Sequence, residues 1–171
     1  MKRISLIALT LIILSLVFSV SAEKEKAVSL DSLEPFEKEG IRLDAVLMDG
    51  KDLYEGIYTS CFGPKDDSGY VEYLLNGKYI RLDTVLYITG AELSPYYDYT
   101  WDAAVCRIYG DEELLFEQIG FQHKDEPQPL SLDVSGVKFL RIEFDKAAYY
   151  NTGAGRPLIL LGNSMLVQTA P

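Results

Sequence analysis

Short apolar runs, each ended by Gly, Asp, Asn or Pro, are the feature of this sequence that most limits its fold. From Ile41 onward they include IRLDAVLM, YVEYLL, YIRLDTVLYITG, AAVCRIYGDEELLFEQI, LSLDVSG, VKFLRIEF and PLILLGNSMLV. The runs alternate between apolar and polar residues or are rich in β-branched and aromatic residues, which is typical of strands. Roughly eight or nine strands at this spacing predict an all-β fold, an antiparallel β-sandwich that forms a single domain over residues 41–171.

Two of these runs also predict core residues. Side chains in a strand alternate between the two faces of the sheet, so every second residue of AAVCRIY and of VKFLRIEF shares one face. In each run we expect the more apolar face to be buried, which leaves Val105 on the opposite face. Six residues are therefore expected in the core: Ala104, Cys106, Ile108, Leu140, Ile142 and Phe144.

Two turns are also visible in the sequence. The pair Asn76-Gly77 lies between two apolar runs and suits the positive backbone angles of a two-residue hairpin. Gly110-Asp111 predicts a second turn, although the acidic residues that follow it are also compatible with a short loop.

The first 22 residues have the pattern of a secretory signal peptide. Lys2 and Arg3 precede an apolar run from Ile4 to Val20, and Ala22 ends a small-residue site at which cleavage is expected. A membrane anchor is the alternative, but the run is short for a bilayer span and charged residues 23–26 follow it directly. The sequence therefore predicts an exported protein, secreted or extracytoplasmic, without a membrane contact after cleavage.

Residues 23–40 carry mixed charge and few branched apolar residues. They predict an N-terminal tether or a short helix around Leu30 to Lys38.

Charge and composition exclude several classes of function. With 26 Asp and Glu against 16 Lys and Arg, the net charge is −10, so a nucleic acid or an anionic membrane is not expected as a partner. The chain has one histidine, His123, which excludes multi-histidine zinc sites. No G-x-S-x-G elbow is present, and His123 is expected in a surface loop. We predict that the protein is not an enzyme and has no catalytic residues; a small secreted hydrolase that uses two carboxylates is the weaker alternative.

An aromatic segment, SPYYDYTW, is the first candidate binding site. It contains Tyr96, Tyr97, Asp98, Tyr99 and Trp101. Sugar rings pack their apolar C–H faces on aromatic planes, while their hydroxyls need polar groups at the rim. The segment therefore predicts a sugar platform; the alternative is that these aromatic residues cover one end of the sandwich.

A second segment, AAYYNTGAGR, is the other candidate. It contains Tyr149, Tyr150, Asn151 and Arg156 in a Gly-rich stretch before the last strand. The two segments would form one groove if they lay at the same end of the sandwich. The alternative is a connection whose glycines only permit a turn.

Three stretches, YLLNGKYIRLDTVLYI, CRIYGDEELLF and LSLDVSGVKFLRIEF, together resemble the NPCBM/NEW2-type family of carbohydrate-binding modules. The resemblance extends from about Gly56 to Phe144. It implies a galactose-binding-like jelly-roll sandwich that binds sugars. Such modules are usually attached to glycoside hydrolases or to other secreted bacterial proteins.

The sequence leaves two alternatives each for metal binding and for disulfide formation. Asp66 and Asp67 form the densest acidic loop, for which a solvated turn is preferred over a structural calcium ion; no other cofactor is indicated. Cys61 and Cys106 are an even pair in an exported chain, so a disulfide is possible, and two buried free thiols are equally natural.

The resulting hypothesis is an exported, non-catalytic module that binds a cell-wall or extracellular glycan through its aromatic loops. The alternative is a secreted structural or protein-interaction domain without glycan affinity, because tyrosine is favoured at both kinds of surface.

Overall fold

The computed structural model of the chain describes residues 25–43, 45–48, 52–59, 68–89, 100–122, 125–146 and 158–169. Within these residues the strands are β1 (Glu25–Ser29), β2 (Glu37–Glu39), β3 (Ile41–Arg42), β4 (Ala45–Met48), β5 (Asp52–Thr59), β6 (Ser68–Leu74), β7 (Arg81–Thr89), β8 (Thr100–Gly110), β9 (Glu113–Gln122), β10 (Gln128–Asp133), β11 (Phe139–Lys146) and β12 (Leu158–Thr169). A single 3-10 turn (Leu30–Ser32) is the only helical element of the described part. No helix there is long and apolar enough to cross a membrane.

The strands form two sheets, and every described pairing is antiparallel. The five-stranded sheet has the order β2-β6-β11-β8-β9. The seven-stranded sheet has the order β10-β7-β12-β5-β3, with β1 beside β12 and β4 beside β5. The predicted antiparallel β-sandwich is confirmed. It has more strands than expected because very short strands such as β2 and β3 carry too little alternation to be recognised in the sequence.

The core lies between the two sheets and is filled mainly by alternate residues of the longer strands. All six residues expected there are buried, with exposed fractions between 0% and 4%. Val105, expected on the opposite face, is also buried at 7% exposure. Its strand, β8, lies between β11 and β9, so Asp145 and Ile119 flank it on both sides. The pairing of β8 with β9 also shifts register between Trp101 and Val105, so the regular alternation is interrupted next to this residue.

The Asn76-Gly77 turn forms, but it does not make a hairpin. Both residues have positive φ, 55° and 66°, as the sequence predicts. However, β6 and β7 belong to different sheets, so the expected pairing of the flanking strands is wrong. The N–H groups of Asn76 and Gly77 donate instead to the carbonyls of Lys138 and Val137, at 3.2 and 2.8 Å. The turn therefore forms a corner at which the chain passes from one sheet to the other. Turn residues set the local backbone angles but do not determine which strands pair.

The second predicted turn is a two-residue hairpin between β8 and β9. Its two loop residues are Asp111 and Glu112, with φ of 48° and 73°. Positive φ is tolerated by Asp but is unusual for Glu.

Residues 25–39 form parts of both sheets rather than the expected tether or short helix. β1 pairs with β12 from Glu25 to Ser29, and β2 pairs with β6. Leu30, in the 3-10 turn between them, is completely buried. The sequence did not reveal these strands because their partners lie far along the chain.

Candidate functional site

The strand ends that flank the two aromatic segments lie at one end of the sandwich, which we call the loop end. Residues 90–99 follow Thr89, the last residue of β7, and residues 147–157 precede Leu158, the first residue of β12. Thr89 and Leu158 are directly paired. In the other sheet, Lys146 at the end of β11 pairs with Ala104 near the start of β8. Both aromatic segments therefore connect strands that end at the loop end.

A cleft of about 430 Å³ lies at the loop end, between the two sheets. It is bounded by β9, an edge strand of the five-stranded sheet, and by β10, an edge strand of the seven-stranded sheet. The lining residues are Leu86, Tyr87, Gln118, Phe121, Asp125, Glu126, Pro127, Gln128 and Pro129. The cleft occurs here because edge strands of different sheets do not pair, so the sandwich is open along this side.

The lining combines two aromatic rings, two amides and two carboxylates. Asp125 is held in place because its carboxylate accepts the N–H of Gln122 at 2.7 Å and its own N–H donates to the Gln122 carbonyl at 3.0 Å. The amide of Gln118 donates to the carbonyl of Gly120 at 3.0 Å, which fixes this side chain as well. Apolar rings beside ordered polar groups are the chemistry that a sugar or another polyhydroxylated ligand requires.

Most of the residues predicted to bind the ligand lie outside the described part. They are Tyr96, Tyr97, Asp98, Tyr99, Tyr149, Tyr150, Asn151 and Arg156. The backbone of Trp101 is described: it lies in β8, opposite Phe121 of β9, whose side chain lines the cleft. Among the predicted binding residues, Trp101 is thus the one whose backbone is paired with a residue that lines the cleft.

The sequence did not single out the residues that line the cleft. Tyr87 lies within a regular strand run, and Gln128 lies in a polar stretch, FQHKDEPQP, that predicted only a surface loop. The prolines at 127 and 129 were the available signal, since proline in a strand is confined to edges. These prolines indicate that β10 is an edge strand, but they do not indicate which edge strand of the other sheet lies opposite it.

Of the remaining predicted groups, only Cys106 lies within the described residues. Cys106 is completely buried, and its burial raises the pKa of the thiol well above its ordinary value. Cys61 lies outside the described residues, so the bridge between the two stays a prediction. Asp66, Asp67 and His123 are likewise outside. Among the residues that are described, no group of three or more His, Cys, Asp and Glu is placed to hold a metal ion.

Comparison with known proteins gives a likeness in fold. No protein-family model matches the sequence, and no curated protein does, so the NPCBM/NEW2 name is not confirmed. Among solved structures, the CBM51-2 and INT domains of Clostridium perfringens ZmpB match 85% of this chain with a TM-score of 0.60 and 17% identity. The chain spans only 32% of that longer protein.

Two further CBM51 structures resemble the chain. The CBM51 of the C. perfringens GH95 protein, in complex with methyl-galactose, matches 82% of this chain and 99% of its own, with a TM-score of 0.56 and 14% identity. The tandem CBM51 modules of Sp3GH98 from Streptococcus pneumoniae match 84% of this chain and 47% of their own, with a TM-score of 0.59 and 14% identity. By fold, the chain is similar to the CBM51 carbohydrate-binding modules, which are galactose-binding-like β-sandwiches.

Proposed function

We propose that the protein is an exported, non-catalytic module that binds carbohydrate at the loop end of its sandwich. The observation that carries the proposal is the cleft between β9 and β10, which combines the aromatic residues Tyr87 and Phe121 with the fixed side chains of Gln118 and Asp125. Pyranose rings present apolar C–H faces and hydroxyls together, and such a lining offers a partner to each.

The position of the aromatic segments supports the same site. Residues 90–99 and 147–157 connect strands that end beside the cleft. They carry eight of the nine residues expected to bind the ligand, all except Trp101. We infer that they extend the cleft into a groove, with Trp101 at the junction. Loops at one end of a rigid β-sandwich are where such folds commonly bind their ligands.

Small sugars are the first ligands to consider. The CBM51 structures of similar fold include complexes with methyl-galactose and with GlcNAc. These structures are only 14–16% identical to the chain, so their binding residues cannot be assigned to positions of this sequence. The proposal therefore concerns the class of ligand, a cell-wall or extracellular glycan.

Export and the absence of catalysis complete the proposal. Export rests on the charged start, apolar run and small-residue cleavage site of residues 1–22. The non-catalytic role rests on the sequence, which marks neither a nucleophile nor an acid–base pair.

The test is a glycan array, with a pulldown on insoluble polysaccharides, using residues 23–171 with and without calcium. We expect a defined glycan to bind, and Trp101→Ala to weaken binding by about tenfold or more, because one stacked ring supplies a large part of the affinity of such sites. Tyr109→Ala is the matched control: it removes an aromatic ring from the outer face of the five-stranded sheet and leaves the loop end intact.

A folded, monodisperse sample that binds no glycan would contradict the proposal. Equal losses in Trp101→Ala and Tyr109→Ala would also contradict it, since the site would then not be at the loop end.

A further inference from the structure

The exposed apolar side chains are concentrated on the outer face of the five-stranded sheet. Four large apolar residues of the described part are strongly exposed, and all four lie on or beside this sheet. They are Phe36 at 61%, Leu74 at 41%, Leu114 at 48% and Ile119 at 55%. Scattered exposed residues need no explanation, but the four in the described part of the chain share one face, and a face of this kind is a candidate interaction surface.

Five apolar and aromatic residues of this face lie at one end of the sheet, and we call them the apolar band. Its members are Phe36, Leu74, Phe139, Tyr109 and Leu114. The rings of Phe36 and Phe139 meet edge to face, with centroids 5.4 Å apart. Leu74 is paired with Phe139, and Leu114 is paired with Tyr109, so neighbouring strands carry the band across the face.

A groove of about 530 Å³ lies beside the band and shares Tyr109 and Phe139 with it. Its lining residues are Glu72, Tyr109, Asp111, Glu112, Phe139, Arg141 and Glu143. It lies on the outer face of one sheet, whereas the cleft at the loop end lies between the two sheets. The two features are therefore separate surfaces of the molecule.

The groove carries unbalanced negative charge. Arg141 is already engaged, because it contacts Glu143 at 2.7 Å and its guanidinium lies 3.9 Å from the centroid of Tyr70. The carboxylates of Glu72 and Glu112 make no hydrogen bond or ion pair with any described residue. The groove therefore combines two aromatic residues with an excess of negative charge.

Cations already lie over aromatic rings on this sheet. Besides Arg141, the ammonium group of Lys138 lies 5.0 Å from the centroid of the Phe139 ring. Such contacts are favourable because the ring face is electron-rich.

We propose that the apolar band and its acidic groove dock a basic segment of a partner protein. An apolar side chain of the segment packs on the band, and its Lys or Arg side chains pair with Glu72 and Glu112. Charge complementarity identifies the partner as basic. The leucines at both sides of the band favour a protein over a glycan, because branched aliphatic side chains offer no flat ring on which a sugar can stack.

A second copy of the chain is disfavoured as the occupant. Each copy would bring the same negative groove, and the chain as a whole has a net charge of −10. The proposal does not depend on carbohydrate binding, because the two surfaces share no lining residue.

The test is selection of random peptides displayed on phage against residues 23–171, followed by affinity measurements on the selected peptides. We expect these peptides to be rich in Lys or Arg together with aromatic or aliphatic residues. Leu114→Lys and Glu72→Lys should each weaken their binding by about tenfold or more, through lost packing and charge reversal. Glu113→Lys is the matched control, because Glu113 is exposed and adjacent to Leu114 but points to the opposite side of β9.

Glu112→Gly separates loss of binding from loss of folding. Glu112 has a φ of 73°, which glycine adopts without strain. The variant should therefore keep or raise the melting temperature while it weakens peptide binding. Trp101→Ala should leave peptide binding unchanged, which keeps this test distinct from the test of glycan binding.

Several results would overturn the proposal. One is that no basic, apolar peptide is selected, or that the selected peptides bind the groove variants as well as the original chain. Self-association that Leu114→Lys abolishes would assign the face to a second copy. Glycan binding that Leu114→Lys abolishes would assign the face to a sugar.

Discussion

At the scale of single residues, Asp111 links the β8–β9 turn to the start of β11. Its carboxylate accepts the N–H groups of Lys138 and Phe139 at 2.9 and 2.8 Å, and its own N–H donates to the carbonyl of Phe139 at 2.9 Å. The two hydrogen bonds from backbone N–H groups lower the pKa of this carboxyl. The Asp111 side chain thus fixes the start of β11 and, with it, the position of Phe139 in the groove.

We predict that Asp111→Asn lowers the melting temperature by about 3–5 °C at neutral pH. The amide presents one acceptor oxygen instead of two, while Asn still tolerates the positive φ of this position. Because the folded pKa lies below that of the unfolded chain, the stabilisation is full above about pH 4 and is lost as the pH falls through the folded pKa. Thermal unfolding from pH 7 to pH 2 should show the difference between the two proteins closing. A difference independent of pH would contradict this explanation.

The sequence predicts some residues of these turns and misses others for a physical reason. Asn and Gly signal positive φ, so the backbone of Asn76 and Gly77 could be foreseen. Glu112 adopts the same region without any such signal, because its conformation is imposed by the two-residue connection between β8 and β9. The role of Asp111 depends on β11, which lies far from it in the sequence.

At the scale of elements, the N-terminal segment is the clearest case in which distant contacts determine structure. β1 is short and mostly exposed, yet it pairs with β12 along its whole length. Arg81 adds a bidentate contact to Glu25, at 3.1 and 2.9 Å. Leu30 then inserts into the core beside these strands.

We predict that Leu30→Ala destabilises the protein by about 2–5 kcal/mol, because it leaves a cavity at a fully buried site. Denaturant unfolding should show a lower midpoint with little change in slope. Lys26→Ala, at an exposed site on β1, is the control and should change the stability by less than about 0.5 kcal/mol. Equal stability of Leu30→Ala and the original chain would show that residues 25–39 do act as a tether.

Alternation within a strand was the most reliable information in the sequence. It identified the buried faces of β8 and β11, because both strands are long and have a core on one side. It could not show which strands pair, so the Asn76-Gly77 corner was expected to be a hairpin. Turn chemistry is local, whereas the choice of sheet depends on the whole chain.

At the scale of the whole molecule, the two candidate surfaces arise from how the sheets are arranged. The cleft at the loop end needs the edges β9 and β10 to face each other, and the groove needs five strands in register. Neither arrangement can be predicted from a local sequence motif. The aromatic segments were visible in the sequence, but their strands had to be placed before a common end could be recognised.

We predict that Cys106 reports on unfolding of the whole molecule. Alkylation needs an accessible thiolate, and this thiol is buried with a raised pKa. In a Cys61→Ser variant at pH 8, iodoacetamide labelling should be about 1,000-fold slower in native buffer than in denaturant, in line with the stability of ordinary domains. Rapid labelling of the native protein would contradict the packing described here. In the original chain, labelling that requires reduction of the unfolded protein would demonstrate the bridge to Cys61.

The position of β12 has a consequence for how the chain acquires its structure. β12 is the last strand of the described part, yet it lies inside the seven-stranded sheet, in contact with β7, β5 and β1. The sheet therefore cannot be completed until residues 158–169 have left the ribosome, and pairings of this kind are slow because long loops must close first. The seven-stranded sheet therefore stays incomplete until β12 has been made, and a chain whose sheet is still open can be threaded through a narrow translocation channel.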